Sequence, residues 1–300
     1  MARIVVTGAS GFVGRHLLLG ARRAGHSVVA LVRSAGAAEV VRNCGAEPRI
    51  ASTPAVPEAF RGSAAIVHLA QVGLERPGET FDAVNVGLTR QVIAAAQAAG
   101  VARLVFLSGL GVAHYGQVRR CTNPYFLSKL AAELELHRSG LEVAIFRPSF
   151  IAGPGDGLLA SLLSQMAAGR VRRIGDGRYR MQPVAVRDAV DAILRACLGP
   201  MPWPSVVDLV GPRPVAFHDY LERLGELARE LGRAGRWDVE EVPVEAAERA
   251  AAEAGTLPDL DCLLCDETAD PAPLEALLGR PLSPLHAALR EALLGHSVGV

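Results

Sequence analysis

Short runs of aliphatic and β-branched residues alternate with Ala- and Leu-rich stretches of helical period through the first half of the chain. Arg3 to Val6, Ser27 to Val32, Ala64 to Leu69, Leu104 to Leu107 and Glu142 to Phe146 read as strands. Phe12 to Ala24, Phe81 to Ala99 and Thr122 to Arg138 read as helices between them. The strands are apolar throughout instead of alternating, which is the mark of strands buried on both faces of a parallel sheet. The pattern predicts an α/β fold with a doubly wound parallel sheet in residues 1–150. After Phe150 it loosens into a Gly- and Pro-rich stretch (Ala152 to Gly157) and one short strand (Val206 to Val210). Helices follow at Val186 to Cys197, His218 to Leu231, Val244 to Ala254 and Leu285 to Leu293. Residues 151–300 are therefore expected to form a smaller C-terminal α/β lobe that binds substrate, with elements around 185–212 returning to the main sheet.

Composition narrows the classes. The 300 residues carry 31 basic and 31 acidic side chains, a formal charge of zero, with no basic stripe to hold nucleic acid. Half of the chain is hydrophobic, which excludes wholesale disorder. No apolar run approaches the length of a membrane span, and the N-terminal apolar run is too short for a secretory signal. Five cysteines at irregular spacing do not make a disulfide framework, and the expected location is the cytoplasm. Among the 31 basic residues only Lys129 is a lysine.

The segment Thr7-Gly-Ala-Ser-Gly-Phe-Val-Gly14 sets glycines at 8, 11 and 14 between the first strand and the first helix. A tight turn, a backbone that approaches pyrophosphate closely and a helix N-terminus facing the phosphates are what a dinucleotide site requires. An NAD site wants an acid at the end of the second strand, but the first acidic residue of the chain is Glu39. Arg33 stands at that strand end, where its guanidinium suits a 2′-phosphate, with Arg15 as a second candidate. NADP(H) is favoured over NAD(H).

Tyr125-Phe-Leu-Ser-Lys129 places a phenol and an ammonium four residues apart, on one face of a helix. A cation beside the phenol would stabilise the phenolate and suit proton transfer. Tyr115 and Arg119 share the spacing, and chance would set the lone lysine after a tyrosine about 2 times in 31. An ordinary surface tyrosine and helix lysine is the plainer reading of so short a pattern.

Taken in order, Thr7 to Gly14, His68-Leu-Ala70, Asn85, Tyr125-x-x-x-Lys129 and Arg147-Pro-Ser-Phe-Ile-Ala-Gly-Pro-Gly155 resemble the extended or atypical short-chain dehydrogenase/reductases, within the NAD-dependent epimerase/dehydratase family. Ile174-Gly-Asp-Gly177 and Gln182-Pro-Val-x-Val-x-Asp188 resemble the branch holding the NADPH-binding accessory subunit of respiratory complex I. The resemblance spans about residues 3 to 215. It implies a Rossmann fold in which Gly8, Gly11, Phe12 and Val13 hold the pyrophosphate, with Ser10 and Gly14 in the same segment. Arg33 would take the adenosine phosphate, and Leu69 and Ala70 the adenine side. Asn85 would support the neighbouring loop, while Pro148 and Ser149 would lie near the nicotinamide. Tyr125 would transfer a proton, and Lys129 would support both Tyr125 and the ribose. The family has Ser or Thr at the end of the fifth strand, where Phe106-Leu-Ser-Gly-Leu110 puts Gly109 in register and Ser108 one place upstream. Adjacent strand side chains face opposite ways, so Ser108 as the third catalytic group depends on where the strand turns.

Cys262-Leu-Leu-Cys265 is a lone pair read as buried apolar cysteines in preference to a zinc or redox site, and no metal is expected. His68 reads as a packed histidine near the cofactor, and His114 with Tyr115 as loop candidates for the substrate. Asp176, Arg178, Arg180 and Arg187 are either solvated charges or contacts to an anionic substrate. Trp203 and Trp237 are expected core anchors. Two functions emerge: an NADP(H)-dependent oxidoreductase, epimerase or dehydratase acting on a carbonyl or carbinol of a small molecule such as a sugar nucleotide, or a non-catalytic NADPH-binding assembly or sensing protein. A homodimer and association with a larger complex both stay open.

Overall fold

A computed structural model describes residues 1–51, 57–116, 122–199 and 205–295. Trp203 lies outside the described residues. The first half runs β1 (Arg3–Thr7), α1 (Phe12–Arg23), β2 (Ser27–Val32), α2 (Ala35–Asn43), β3 (Glu47–Ile50), α3 (Pro57–Phe60) and β4 (Ala65–His68). A π-helical segment (Asp82–Gly87) then continues into α4 (Leu88–Ala99), followed by β5 (Arg103–Leu107), α5 (Gly111–His114), α6 (Pro124–Arg138) and β6 (Glu142–Pro148). The second half holds β7 (Ile151–Ala152), α7 (Gly157–Ala167), β8 (Arg170–Ile174), β9 (Arg180–Met181), β10 (Val184–Ala185), α8 (Val186–Leu198) and β11 (Val206–Leu209). It ends with β12 (Val215–Ala216), α9 (Phe217–Glu230), β13 (Asp238–Val242), α10 (Val244–Ala254), α11 (Leu257–Leu263), α12 (Ala272–Leu278) and α13 (Leu285–Gly295).

Seven strands pair in parallel in the order β11-β6-β5-β4-β1-β2-β3. The fold is a Rossmann-like α/β sheet with an added C-terminal α/β region. The two-residue period of each strand serves two cores. Ile4 and Val6 pack with α1, α2 and α8 on one face, and Val5 packs with α3, α4 and α6 on the other. Because both faces are covered, the inner strands β1, β2, β4 and β5 carry no exposed positions, which is why they read as unbroken apolar runs. β11 extends the sheet beyond β6, Val206 pairing with Ile145. A separate core of Leu159, Leu162, Met166, Tyr220, Leu224 and Leu289 joins α7, α9 and α13 beside the sheet. Trp237 lies half-buried against this third core. Among the described residues no helix is long and apolar enough to cross a membrane.

Strand order reverses at β1, with β2 and β3 to one side and β4, β5, β6 and β11 to the other. Such a reversal opens a crevice at the carboxyl ends of the strands. Gly8 sits at its mouth with φ +69°, a left-handed conformation that side chains rarely adopt. A Cβ there would stand 2.6 Å from Ala70 N and from Leu69 C, so the β1 turn and the chain leaving β4 meet backbone to backbone. Gly14 does the same for helix packing, since a Cβ would lie 2.5 Å from Ala9 O. Gly8→Ala is therefore expected to cost about 2–4 kcal/mol, from strain and collision with a backbone that cannot swing away. Urea unfolding checks this, and an unchanged midpoint would contradict the close packing.

Candidate active site

A cavity of about 800 Å³ occupies the crevice. Gly8, Ser10, Gly11, Phe12, Val13, Gly14, Arg33, Leu69 and Ala70 all line it. Gly11 is the N-cap of α1 and offers no side chain to cap it, so the free N–H groups of the first turn face the cavity. Residues 8 to 14, with glycines at 8, 11 and 14, thus form a cradle of open backbone against a helix N-terminus, which fits the pyrophosphate of a dinucleotide. Asn85 works from behind the wall. Its Oδ1 accepts from Val72 N at 2.9 Å, and its Nδ2 donates to Val72 O and to Ser128 Oγ, both at 3.0 Å. The π-helical turn aims Asn85 at the loop after β4 and ties that loop to α6.

At the rim, Arg33 Nη1 pairs with Glu79 Oε1 at 2.7 Å. The sequence offers no acid near the end of β2, but folding supplies one from 46 residues further along. Arg15 does not line the cavity; its guanidinium lies beside Gly155.

The Tyr–Lys pair is positioned by the start of α6. Asn123 Oδ1 accepts from Tyr125 N at 2.7 Å, and Pro124 begins the helix, so Tyr125 and Lys129 fall one turn apart. Lys129 is 1% exposed. Its Nζ donates to Leu107 O at 2.7 Å and to Gln71 Oε1 at 2.8 Å, and lies 4.2 Å from the Phe106 ring centroid. Burial lowers its pKa to about 7, against a raising influence from Glu133. The half-buried Tyr125 donates its hydroxyl to the same Gln71 Oε1 at 3.0 Å. Burial pushes its pKa up to about 12, with the Gln71 bond acting the other way. The phenol and ammonium are therefore joined through the oxygen of Gln71. At rest Tyr125 is a protonated donor.

His68 is buried between Thr7 Oγ1 (2.7 Å) and Thr89 Oγ1 (3.1 Å). Thr89 donates to Asn85 O, so His68 Nε2 carries the proton and Nδ1 accepts from Thr7. Burial and then the Lys129 charge lower its pKa to about 3, leaving it neutral.

A second cavity of about 660 Å³ adjoins the first, with Phe12, Val13, Gln71 and Leu107 lining both. Tyr125, Phe126, Pro148, Ser149 and Phe150 form one side of it, and Leu158, Leu162, Tyr179, Met181 and Phe217 the other. Ser108 and Gly109 also line it, but Ser108 Oγ is buried with no hydrogen-bond partner among the described residues. The segment after α10 completes the wall with Asp259, Cys262, Leu263, Cys265 and Glu267. The two cysteines are half-buried on this wall, which corrects the expectation of a buried pair within the core. Burial raises the Glu267 carboxyl to about 7. Gln71 and Glu267 are the residues that sequence reading missed. Gln71 follows His68-Leu-Ala70 directly, whereas nothing near Glu267 in sequence marks it.

Of the other candidates, Arg180 lines the second cavity while paired with Asp266. His114, Tyr115, Asp176, Arg178 and Arg187 do not line it. Asp176 pairs with Arg178, and Arg187 donates to Ser283. Among the described residues no three potential metal ligands converge.

Residues 4–201 match the NAD dependent epimerase/dehydratase family. A 2-alkyl-3-oxoalkanoate reductase of Stenotrophomonas maltophilia (strain K279a) is 32% identical over 208 residues, covering 62% of this chain and 62% of that one. A 4-hydroxy-2-methyl-3-oxo-4-farnesyl-3,4-dihydroquinoline-1-oxide ketoreductase of Stigmatella aurantiaca is 30% identical over 272 residues, 84% of this chain and 79% of that one. The UDP-glucuronic acid 4-epimerase from Bacillus cereus, in complex with UDP-glucuronic acid and NAD, has the same fold, with a TM-score of 0.77, 17% identity and 98% of both chains covered. By its family model, its motifs and its fold, the chain belongs to the NAD dependent epimerase/dehydratase family.

Proposed function

We propose that the protein is an NADP(H)-dependent reductase of a ketone carried on a largely apolar small molecule, with Tyr125 as the proton donor. The observation that carries the reading is the Tyr125 hydroxyl on the wall of the second cavity, linked to the ammonium of Lys129 through Gln71, a residue lining both cavities. When bound in the first cavity, the dinucleotide supplies or accepts hydride at its nicotinamide ring. Gly8 to Gly14 hold the pyrophosphate, Leu69 and Ala70 flank the adenine side, and Pro148 and Ser149 border the reacting end. Tyr125 gives its proton to the substrate oxygen, and Lys129 stabilises the phenolate that remains. Apolar and aromatic side chains, Phe and Leu foremost, outnumber the polar and charged ones around the second cavity, which favours an alkyl-bearing ketone, with Arg172, Arg180, Asp259 and Glu267 as charged groups on the same lining. The reductases to which the chain is similar support the same class. A carbinol or sugar nucleotide of the epimerase type belongs in the same assay panel.

Arg33 is the proposed 2′-phosphate ligand. Its partner Glu79 forms an exposed ion pair, worth about 0–1 kcal/mol, which a doubly charged phosphate displaces readily. A second reading follows from the likeness to the complex I accessory subunit and is favoured by Gly109 standing where the family has Ser or Thr. In it the chain binds NADPH without turnover.

Three outcomes are expected. Tyr125→Phe abolishes oxidation of NADPH by ethyl 3-oxodecanoate while NADPH fluorescence still reports binding; undiminished turnover in the variant would sink the proton-donor role. If the unsubstituted protein binds NADPH but turns over no member of the panel, the second reading holds instead. Arg33→Ala weakens NADPH by about tenfold or more and leaves NADH nearly unchanged, while Glu79→Gln strengthens NADPH, both read by titration; equal losses for the two cofactors would refute the phosphate contact. The third outcome concerns pH. The ammonium of Lys129 is lost as pH rises through about 7, whereas the phenol stays protonated to about 12. In the reductive direction kcat/KM should therefore be flat in acid and fall above about pH 7. A profile flat to about 10, where ordinary phenols titrate, would contradict it.

A further inference from the structure

Gln71 holds two hydrogen bonds on one atom. Lys129 Nζ and Tyr125 Oη both donate to its Oε1, at 2.8 and 3.0 Å. An ammonium only donates, so the amide atom facing Lys129 is the oxygen. Nε2 is then turned the other way, carrying two N–H donors and no protein partner among the described residues. The side chain is exposed and lines both cavities.

The place where a hydroxyl would polarise the substrate is closed. Gly109 has no side chain, and a Cβ there would stand 2.8 Å from Phe126 Cε1. The Ser108 hydroxyl is sealed in the wall without a partner. Among the described residues at the junction of the cavities, Gln71 has the donor group left over.

We propose that Gln71 Nε2 donates to the substrate carbonyl oxygen, making Gln71 a catalytic residue in place of the absent hydroxyl. The inference rests on the reading of Tyr125 as proton donor. The oxygen and nitrogen of one amide lie roughly 2.3 Å apart, so an oxygen that accepts from Tyr125 is within reach of Nε2. As the reaction proceeds, hydride from the reduced dinucleotide forms a C–H bond at the carbonyl carbon. The C=O π pair moves onto oxygen, and the Tyr125 proton completes the alcohol. The ketone is reduced and the dinucleotide oxidised. The negative charge that grows on oxygen is largest in the transition state, where a prealigned N–H stabilises it most. Tyr125 rotates its hydroxyl from Gln71 Oε1 to the substrate, while the Lys129 bond keeps the amide in place.

The test uses Gln71→Glu, which keeps the oxygen acceptor for Tyr125 and Lys129 but removes the N–H donors, and Gln71→Met, which removes both. In the enzyme loaded with NADPH, both variants should lose about a hundredfold in kcat on ethyl 3-oxodecanoate, with KM changed far less. A second readout needs no turnover. With oxidised dinucleotide bound, the carbonyl carbon of the carbon-13-labelled ketone should resonate downfield of its value in water, and Gln71→Met should reverse most of that displacement. Variants that keep kcat and the displaced resonance overturn the role of Gln71 while leaving Tyr125 intact. If Tyr125→Phe keeps its activity, the proton-donor reading fails first, and that failure is seen without any change at Gln71.

Discussion

The arrangement depends on burying one ammonium. Lys129 has 1% of its surface exposed, and removing such a charge from water is costly unless it is paired and hydrogen-bonded. The structure answers with the Leu107 carbonyl at the end of β5, the amide oxygen of Gln71 after β4, and the face of the Phe106 ring. One turn along α6, Glu133 raises the lysine pKa while forming a bidentate pair with Arg147 on β6, at 3.0 and 2.6 Å. Three strands and a helix are therefore in register around one charge. Burial keeps the neighbouring His68 neutral, and the same charge adds to the effect, since a second buried cation beside it would be repelled.

That constraint also couples the cavities. Gln71 is held from one cavity side by Lys129 and Tyr125, and it lines the space on both sides. The loop carrying it is fixed through Asn85, whose amide bonds Val72 on one side and Ser128 of α6 on the other. The glycine turn after β1 presses against the same loop at Leu69 and Ala70. The glycine turn, the Tyr125 phenol and the wall of the second cavity are thus all braced on residues 69 to 72.

The main sheet was readable because its strands are buried on both faces and its helices have one apolar face. Ser27–Val32 and Val244–Ala254 fall where the pattern puts them. Glu47–Ile50 escaped because an edge strand with exposed Glu47 and Ile50 shows no apolar run. The start of the Phe81–Ala99 stretch proved to be a π-helical turn, a difference of hydrogen-bonding register that residue periodicity over six residues does not encode. The glycine cradle was legible because strand, turn and helix are contiguous in sequence. Glu267, Cys262 and Cys265 were not, because they reach the cavity from the far end of the chain by packing alone.

By itself the sequence determined the parallel sheet, the glycine turn and the one-turn spacing of Tyr125 and Lys129, since each follows from local periodicity or local backbone freedom. Tertiary structure decided the rest. It brought Glu79 to Arg33 across 46 residues, sealed Ser108 away, and set Gln71 between phenol and ammonium. The physical reason is that the energy of a buried charge or an unpaired donor depends on which groups surround it in space. The chain order of those groups is silent until the strands are laid side by side.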